Sequence, residues 1–250
     1  GYNVRNPFLG DRRVRKAFTH ALNRQEMLNS FFNGQGTIIS GPFAPGSWAY
    51  NLDVQPAAFD PEKAKALLQE AGFSRGADGF MQKDGKRLEL SLKVPIEKES
   101  EAVKRVVLAF KNYLKNVGAD IKVEFKEWQA WKEDVFFEHD FDVIFAIWVF
   151  DDSADISSLF HSGEIGEWKN NFGGYSNPEV DGLINESKLT LDHEKRRTIN
   201  RKLHPRLAAE NPYTFLWTLT NYAAYHKKVR RVAIHPYKFF SYADDWFIEE

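Results

Sequence analysis

Cysteine is absent from the 250 residues, which excludes a disulfide scaffold, thiolate metal ligands and thiol nucleophiles without selecting a compartment. An excess of charge is absent too, because 34 Lys and Arg stand against 35 Asp and Glu for a net charge of −1. No segment concentrates Lys and Arg, so the electrostatic term that dominates non-specific nucleic-acid binding is missing and nucleic acid is excluded as a partner. Long apolar runs are lacking as well. The longest, Val143 to Phe150, is far short of the roughly 20 residues that span a bilayer. There is no HExxH, no GxSxG and no Walker loop, and Gly34-Gln35-Gly36 lacks the third glycine and the preceding strand of a dinucleotide fingerprint. The histidines (His20, His139, His161, His193, His204, His226 and His235) are scattered without i, i+4 pairing. Neither a metal nor a cofactor is expected. An initiating Met and a signal sequence are also missing ahead of Gly1-Tyr2-Asn3-Val4-Arg5-Asn6-Pro7, a start that suggests a processed or cut chain.

Aromatic side chains, by contrast, are abundant: 21 Phe, 9 Tyr and 7 Trp. The chain is long enough to remove roughly 70–75% of its unfolded surface from water. Asp11 stands as an N-cap ahead of Val14, Phe18, Ala21 and Leu22, and Asn23 with Glu26 reads as a capping box. Gly41-Pro42-Phe43-Ala44-Pro45-Gly46 forces a loop that carries Trp48 and Tyr50. Asp60-Pro61-Glu62 opens a helix that Gly72 closes.

Leu88 to Val94 and Ile121 to Phe125 alternate with period two and flank a helical face of Ala102, Val103, Val106, Val107, Phe110 and Leu114. The unit reads as strand, helix and parallel strand. A short helix is expected from about Trp128 to Phe137, followed by Val143 to Trp148 as a central strand buried on both faces. Further helices are expected near Asp155 to Phe160, Pro178 to Leu189 and His193 to Glu210, with strands around Thr214 to Leu219 and Val229 to Ile234. The fold class is α/β, a sheet covered by helices on both sides.

Ligands of open α/β sheets bind at the carboxyl ends of the strands. That places Trp148-Val149-Phe150-Asp151-Asp152-Ser153-Ala154-Asp155 at the centre of interest. A carboxylate shielded by Trp148 and Phe150 would hold an ammonium more strongly than an exposed one. Asp152 and Asp155 suit helix capping, which leaves Asp151 as the ligand candidate. Trp128, Trp131, Trp48 and Tyr50 could offer flat faces to side chains or sugars, although Trp131 equally suits core packing and Trp217 and Trp246 are read as core. Asn170 to Asp181 is a loop with a Gly pair and Tyr175, whose amides could line a pocket or satisfy each other.

Several of these segments together resemble a known family. They are Phe8-Leu9-Gly10-Asp11-Arg12-Arg13-Val14-Arg15-Lys16-Ala17-Phe18, Ala21-Leu22-Asn23-Arg24, Gly41-Pro42, Asp60 to Phe73, Trp148-x-x-Asp151 and Asn171-Phe172-Gly173-Gly174-Tyr175-Ser176-Asn177-Pro178-Glu179-Val180-Asp181. In this order, over roughly residues 3 to 215, the chain resembles the extracytoplasmic solute-binding proteins of peptide/nickel-type ABC importers. The resemblance implies one lobe of a type II periplasmic-binding-protein fold with a mixed sheet, and a periplasmic or otherwise extracytoplasmic, membrane-associated location. It implies a peptide or similar small solute as ligand, a membrane permease as partner and no catalysis. Since family members are longer, residues 1–250 would form a single C-terminal lobe whose last segment, about 212–250, returns toward the other lobe.

By the same resemblance Asp151 pairs with a peptide α-ammonium and Trp128 lines a side-chain pocket beside Trp148. Trp48 and Tyr175 complete the expected ligand-binding set. One departure is that Phe145 stands where some oligopeptide binders carry a carboxylate-reading Arg. An alternative reading is a carbohydrate-active enzyme with an acidic, Trp-lined cleft, which would need two carboxyl groups about 5–9.5 Å apart. Without its partner lobe the chain is also expected to self-associate through exposed apolar surface.

Overall fold

The computed structural model describes residues 1–96, 101–235 and 239–249. Local signals place its helices. The Asp11 carboxylate accepts the Arg13 N–H to start α1 (Arg12–Ala21), and the Asn23 side chain accepts the Glu26 N–H at the head of α2 (Arg24–Phe32). After β1 (Gly36–Ile38) and the Gly/Pro loop, Asp60 caps α3 (Pro61–Glu70), with Pro61 at the first position, where its missing N–H costs nothing. A small antiparallel sheet follows, made of β2 (Ser74–Arg75), β3 (Met81–Lys83) and β4 (Lys86–Arg87). Its strands are too short to show a hydrophobic period.

The expected parallel unit is present. β5 (Glu89–Ile96) leads through α4 (Glu101–Asn116) to β6 (Asp120–Glu127), paired in register from Glu89 opposite Asp120 to Ile96 opposite Glu127. The next helix, α5 (Trp128–Lys132), runs on as a π-helical turn over Glu133–Glu138 and stops at His139 in the left-handed region. β7 (Val143–Ile144) then pairs parallel with β5. The strand order β6-β5-β7 corrects the expected role of Val143 to Trp148, since the central strand is β5 and β7 is a two-residue edge. An antiparallel bridge from Tyr2 to Val143 covers that edge and makes the sheet mixed.

Burial follows the pleat. Leu90, Leu92, Val94, Ile121 and Val143 pack against Val14, Phe18, Leu68, Val107 and Leu114 from α1, α3 and α4. On the opposite face Ile144 joins Trp131, Val135, Phe141 and Phe172. Lys93 is buried on that same face, donating to Asp134 at 2.7 Å and Asp140 at 2.8 Å. Burial works against its ammonium, but the hydrogen bonds to the two carboxylates outweigh it and hold the pKa above the ordinary lysine value.

A second apolar cluster gathers Phe160, Tyr175, Ile184, Leu203 and Leu207 from α6 (Ser157–Phe160), the 171–175 loop, α7 (Pro178–Leu189) and α8 (His193–Glu210). Pro205 lies inside α8 and cannot donate to the Arg201 carbonyl; the Asn51 side chain does so instead, at 3.0 Å. The Asn51 backbone N–H donates to His204 Nδ1 at 3.0 Å, and His204 Nε2 lies 3.0 Å from Ser40 Oγ. Gly41 permits this docking, for a Cβ there would lie 2.3 Å from the His204 ring. The chain closes with β8 (Trp217–Leu219) against β1, and β9 (Val229–Arg230) against β10 (Phe247–Ile248). Trp217 and Trp246 are half-buried rather than core, because each sits on a short peripheral pairing.

Two buried arginines, with no carboxylate ion pair among the described residues, join the clusters. Arg15 donates to the carbonyls of Leu9, Gly10, Glu210 and Asn211, and Arg24 to those of Ile39, Ala57 and Phe215. Burial lowers both pKa values, that of Arg24 to about 10. Arg24→Met strands three carbonyls, each costing about 1–3 kcal/mol when unsatisfied. A loss of roughly 3 kcal/mol or more in urea unfolding is expected, and Arg24→Lys is not expected to restore it, since a compact ammonium cannot span three segments. His204 supplies a second prediction. Burial lowers its pKa from 6.5 to about 4. Its unfolded form therefore binds a proton that the native form refuses, and stability is full above pH 6.5 and declines as pH falls toward 4. Denaturant midpoints measured across that window should show this slope, and His204→Gln should flatten it.

Candidate functional site

β6 and β7 flank β5 on opposite sides, so the carboxyl ends of three parallel strands lie side by side, the place where open α/β sheets bind ligands. Ile96, Trp128 and the segment after Ile144 stand at these carboxyl ends. Residues 145–150 have no regular structure, and among the described residues their one backbone hydrogen bond is the Phe145 N–H to the Lys93 carbonyl at 3.3 Å. Among the described residues, no partner is found for the backbone groups of residues 146–150. Ala146, Trp148 and Phe150 pack inward, whereas Ile147 and Val149 are 72% and 94% exposed. The apolar run is thus two-faced for a different reason than expected. One face is packed on the clusters and the other is exposed.

A ladder of rings forms the wall beside this segment. Trp128, 40% exposed, stacks on buried Trp131 with centroids 5.3 Å apart and planes 13° apart. From Trp131 the contacts pass edge-on to Phe136 at 5.9 Å, to Phe172 at 5.1 Å, and then to Trp148, stacked at 6.0 Å. Trp131 is fixed by its N–H to the Lys93 carbonyl at 3.3 Å. Trp148 Nε1 is buried without a hydrogen bond of standard geometry; the nearby Tyr213 hydroxyl, its pKa raised by burial, is partly compensated by that indole.

Asp151 ends the segment, exposed, with Oδ1 accepting the Ser153 N–H at 2.9 Å. The turn it opens includes Ala154 at φ +51°, a conformation unfavourable for a residue with a Cβ. Two groups hold the turn in place: Trp48 Nε1 donates to the Asp152 carbonyl at 2.9 Å, and Arg196 donates to that of Ser153. Trp48 is itself clasped between His193, 4.8 Å away, and the Arg196 guanidinium, 5.0 Å away. Tyr175 is buried, edge-on to Phe160, with its pKa raised by burial and by Glu210.

Four of the five expected residues therefore gather around the 148–155 segment, with Trp128 joined to it through the ladder. Trp128, Trp148 and Asp151 flank or belong to the half-exposed segment, while Trp48 and Tyr175 lie behind it. The expected loop of Asn170 to Asp181 satisfies itself, since the Asn171 side chain binds the Tyr175 backbone on both sides. Gly173 allows the Tyr2 carbonyl to approach within 2.5 Å of where a Cβ would stand. Arg196, with no distinctive motif around it, was missed by sequence reasoning. Asp134, Glu138 and Asp140 bring carboxylate oxygens within 4.8 Å of one another, yet Lys93 and Lys126 already neutralise Asp134. That arrangement makes an ion-pair network, and no metal is assigned to it.

Comparison with known proteins places this geometry. The family model described as bacterial extracellular solute-binding proteins, family 5 Middle, matches residues 1–168. The oligopeptide-binding protein AppA of Bacillus subtilis is 28% identical over 252 residues, covering 99% of this chain and 46% of the relative. Its structure in complex with a nonapeptide superposes with a TM-score of 0.86, at 28% identity, over 100% of this chain and 50% of that one. The dipeptide-binding protein of Escherichia coli is 26% identical over 94% of this chain and 42% of its own length. The chain thus spans less than half the length of these curated relatives.

The pinned turn makes a prediction of its own. Trp48→Phe keeps the ring but removes the N–H to Asp152, a bond worth on the order of 1 kcal/mol. Amide hydrogen exchange at residues 151–155 should accelerate about fivefold, with exchange in α4 unchanged.

Proposed function

Because the chain belongs to the bacterial extracellular solute-binding proteins of family 5, we propose that it forms the ligand-gripping lobe of a peptide-capturing component of an ABC importer. The 146–150 segment, whose backbone groups find no partner among the described residues, supports this reading. A solute with its own backbone donors and acceptors, a peptide, can lie along that segment as an added strand and be held without regard to its side chains. Trp128, 40% exposed, then offers aromatic surface for those side chains, with Trp148 packed inward on Phe172 as its support. Asp151, at the end of the segment, receives the peptide α-ammonium through a charge-assisted hydrogen bond. Trp48 and Tyr175 support the segment from behind, and their contribution to binding is positional.

Closure of a second lobe over these residues completes the site and presents the loaded form to the permease outside the cytoplasmic membrane. No helix among the described residues is long and apolar enough to cross a membrane. Residues 212–250 return toward that second lobe, a reading supported by the exposure of Leu219, Tyr222, Tyr225, Phe240, Phe247 and Ile248. The same surface is where the chain on its own would self-associate. For the glycosidase alternative nothing speaks: Asp151 and Asp155 each cap an N–H within one turn instead of facing each other across a cleft.

The test uses the two-lobed protein and paired peptides with free and N-acetylated termini. Asp151→Asn preserves the acceptor for Ser153 and removes the charge. It is expected to weaken free-amine peptides about tenfold or more, as for a hydrogen bond to a charged group, and to leave acetylated ones unchanged. Equal losses for both would remove Asp151 from ammonium recognition.

A further inference from the structure

The exposed tip of the ring ladder has a charged companion. Lys132 lies one helical turn after Trp128, and residues four apart share a helix face. Its Nζ stands 5.8 Å from the centroid of the Trp128 ring, whose stacked neighbour Trp131 is 5.3 Å away. Lys132 is half-buried, but its ammonium is not closed off from solvent. Among the described residues it has neither a hydrogen bond nor an ion pair. Other lysines of the sheet are placed differently: Lys126 and Lys93 are both held by Asp134, and Lys93 by Asp140 as well. The carboxylates beside Lys132 in sequence do not serve it. Glu127 accepts the N–H groups of Gln129 and Ala130 at the head of α5, and Glu133 is the next residue along, where side chains on a helix diverge. The aromatic surface at the carboxyl end of the sheet therefore carries an uncompensated positive charge.

A cargo side chain that reaches the Trp128 ring comes within range of this charge. Beside a ring that keeps water from one side, the attraction or repulsion exceeds that of a fully solvated pair. We propose that Lys132 is a specificity-determining residue of the peptide site, drawing an acidic side chain of the cargo, Asp or Glu, onto the Trp128 wall and turning basic ones away. The inference rests on the reading of the chain as a peptide-binding lobe. To a mode of binding whose main-chain bonds are indifferent to side chains it adds a preference. Asp151 and Lys132 then act on different groups: the carboxylate receives the α-ammonium, and the ammonium selects among the residues that follow it. Little holds Lys132 back, since an exposed cation–π contact contributes only about 0.5–1 kcal/mol. Its flexible four-carbon stem lets the ammonium meet either acidic side chain.

The experiment is a calorimetric titration of the two-lobed protein with C-terminally amidated pentaalanine peptides of free amino terminus, each carrying Glu, Gln or Lys at one position from the second to the fifth. Amidation leaves the side chain as the probe's sole carboxylate. At one position Glu is expected to bind about fivefold more tightly than Gln, and Lys about threefold more weakly, as for a partly exposed ion pair. Both differences should shrink at about 0.5 M salt. Lys132→Met, which keeps an aliphatic stem over the ring, should bind all three alike; Lys132→Arg should retain the order and Lys132→Glu reverse it. A loss of packing cannot reverse an order of charges, so the last variant separates recognition from structure. Equal affinity for Glu, Gln and Lys at every position in the unmodified protein would overturn the role of Lys132 and leave the peptide-binding reading standing. Absence of binding by every peptide would overturn both. A preference for Glu that persists in Lys132→Met assigns it to another residue and overturns the proposal. A loss in Lys132→Met confined to pentaalanine with a free carboxyl end moves the contact to that terminus and overturns the side-chain assignment.

Discussion

Two buried guanidinium groups, bound to backbone carbonyls and without a carboxylate ion pair among the described residues, tie distant segments of this chain together. Arg15 and Arg24 lie on the first two helices, but the carbonyls they bind belong to segments near residues 9, 39, 57, 210 and 215. A carboxylate partner would have satisfied each arginine locally. Backbone oxygens make the same charge reach several segments at once, and the planar fork suits this better than an ammonium would. The sheet with its helices and the α7–α8 pair are thereby fixed relative to one another. The candidate site depends on that fixity, because Trp128 follows β6 of the sheet whereas the turn after Asp151 is held by Trp48 and by Arg196 of α8.

Around the candidate site, polar bonds and packing divide the work. The sheet's second face carries a buried Lys93 with its carboxylates, so the ladder of rings rests on a rigid ionic floor rather than on a deformable apolar one. The turn after Asp151 is less secure on its own, with Ala154 in an unfavourable conformation, and it is supported by Trp48 and Arg196. Rings that look like cleft lining in the sequence are in part scaffolding. Their value lies in where they keep a neighbouring backbone.

What could be read in advance was local. Asp60-Pro61 and Asn177-Pro178 announce their helices because a cap and a fixed φ act within four residues. The alternation of β5 and β6 was equally plain, since each has one face turned to α1, α3 and α4. The run from Val143 to Phe150 misled for a physical reason: apolar residues on both faces fit a central strand and an open, half-packed edge equally well. Short strands such as β2 and β4 carry too few residues to show any period. Buried arginines are unreadable in principle from one sequence, because Arg is nearly always solvated and its carbonyl partners are contributed by residues of any type. The residues that gather around the 148–155 segment could largely be named from the chain, but not which of them are exposed and which are packed behind it.

The ladder has one further consequence. Its exposed ring, Trp128, lies flat on Trp131, which is buried and tied to Lys93. Tip and foundation are thus different residues with different obligations. On the proposed function, an exchange at the tip would alter the surface offered to a peptide and leave the buried ring in place, whereas an exchange at the foundation disturbs the sheet. A wall built in this manner can be refaced by single steps of evolution, each leaving a folded protein behind. Diversification of cargo on an unchanged scaffold then requires no invention of new architecture, only a succession of new tips.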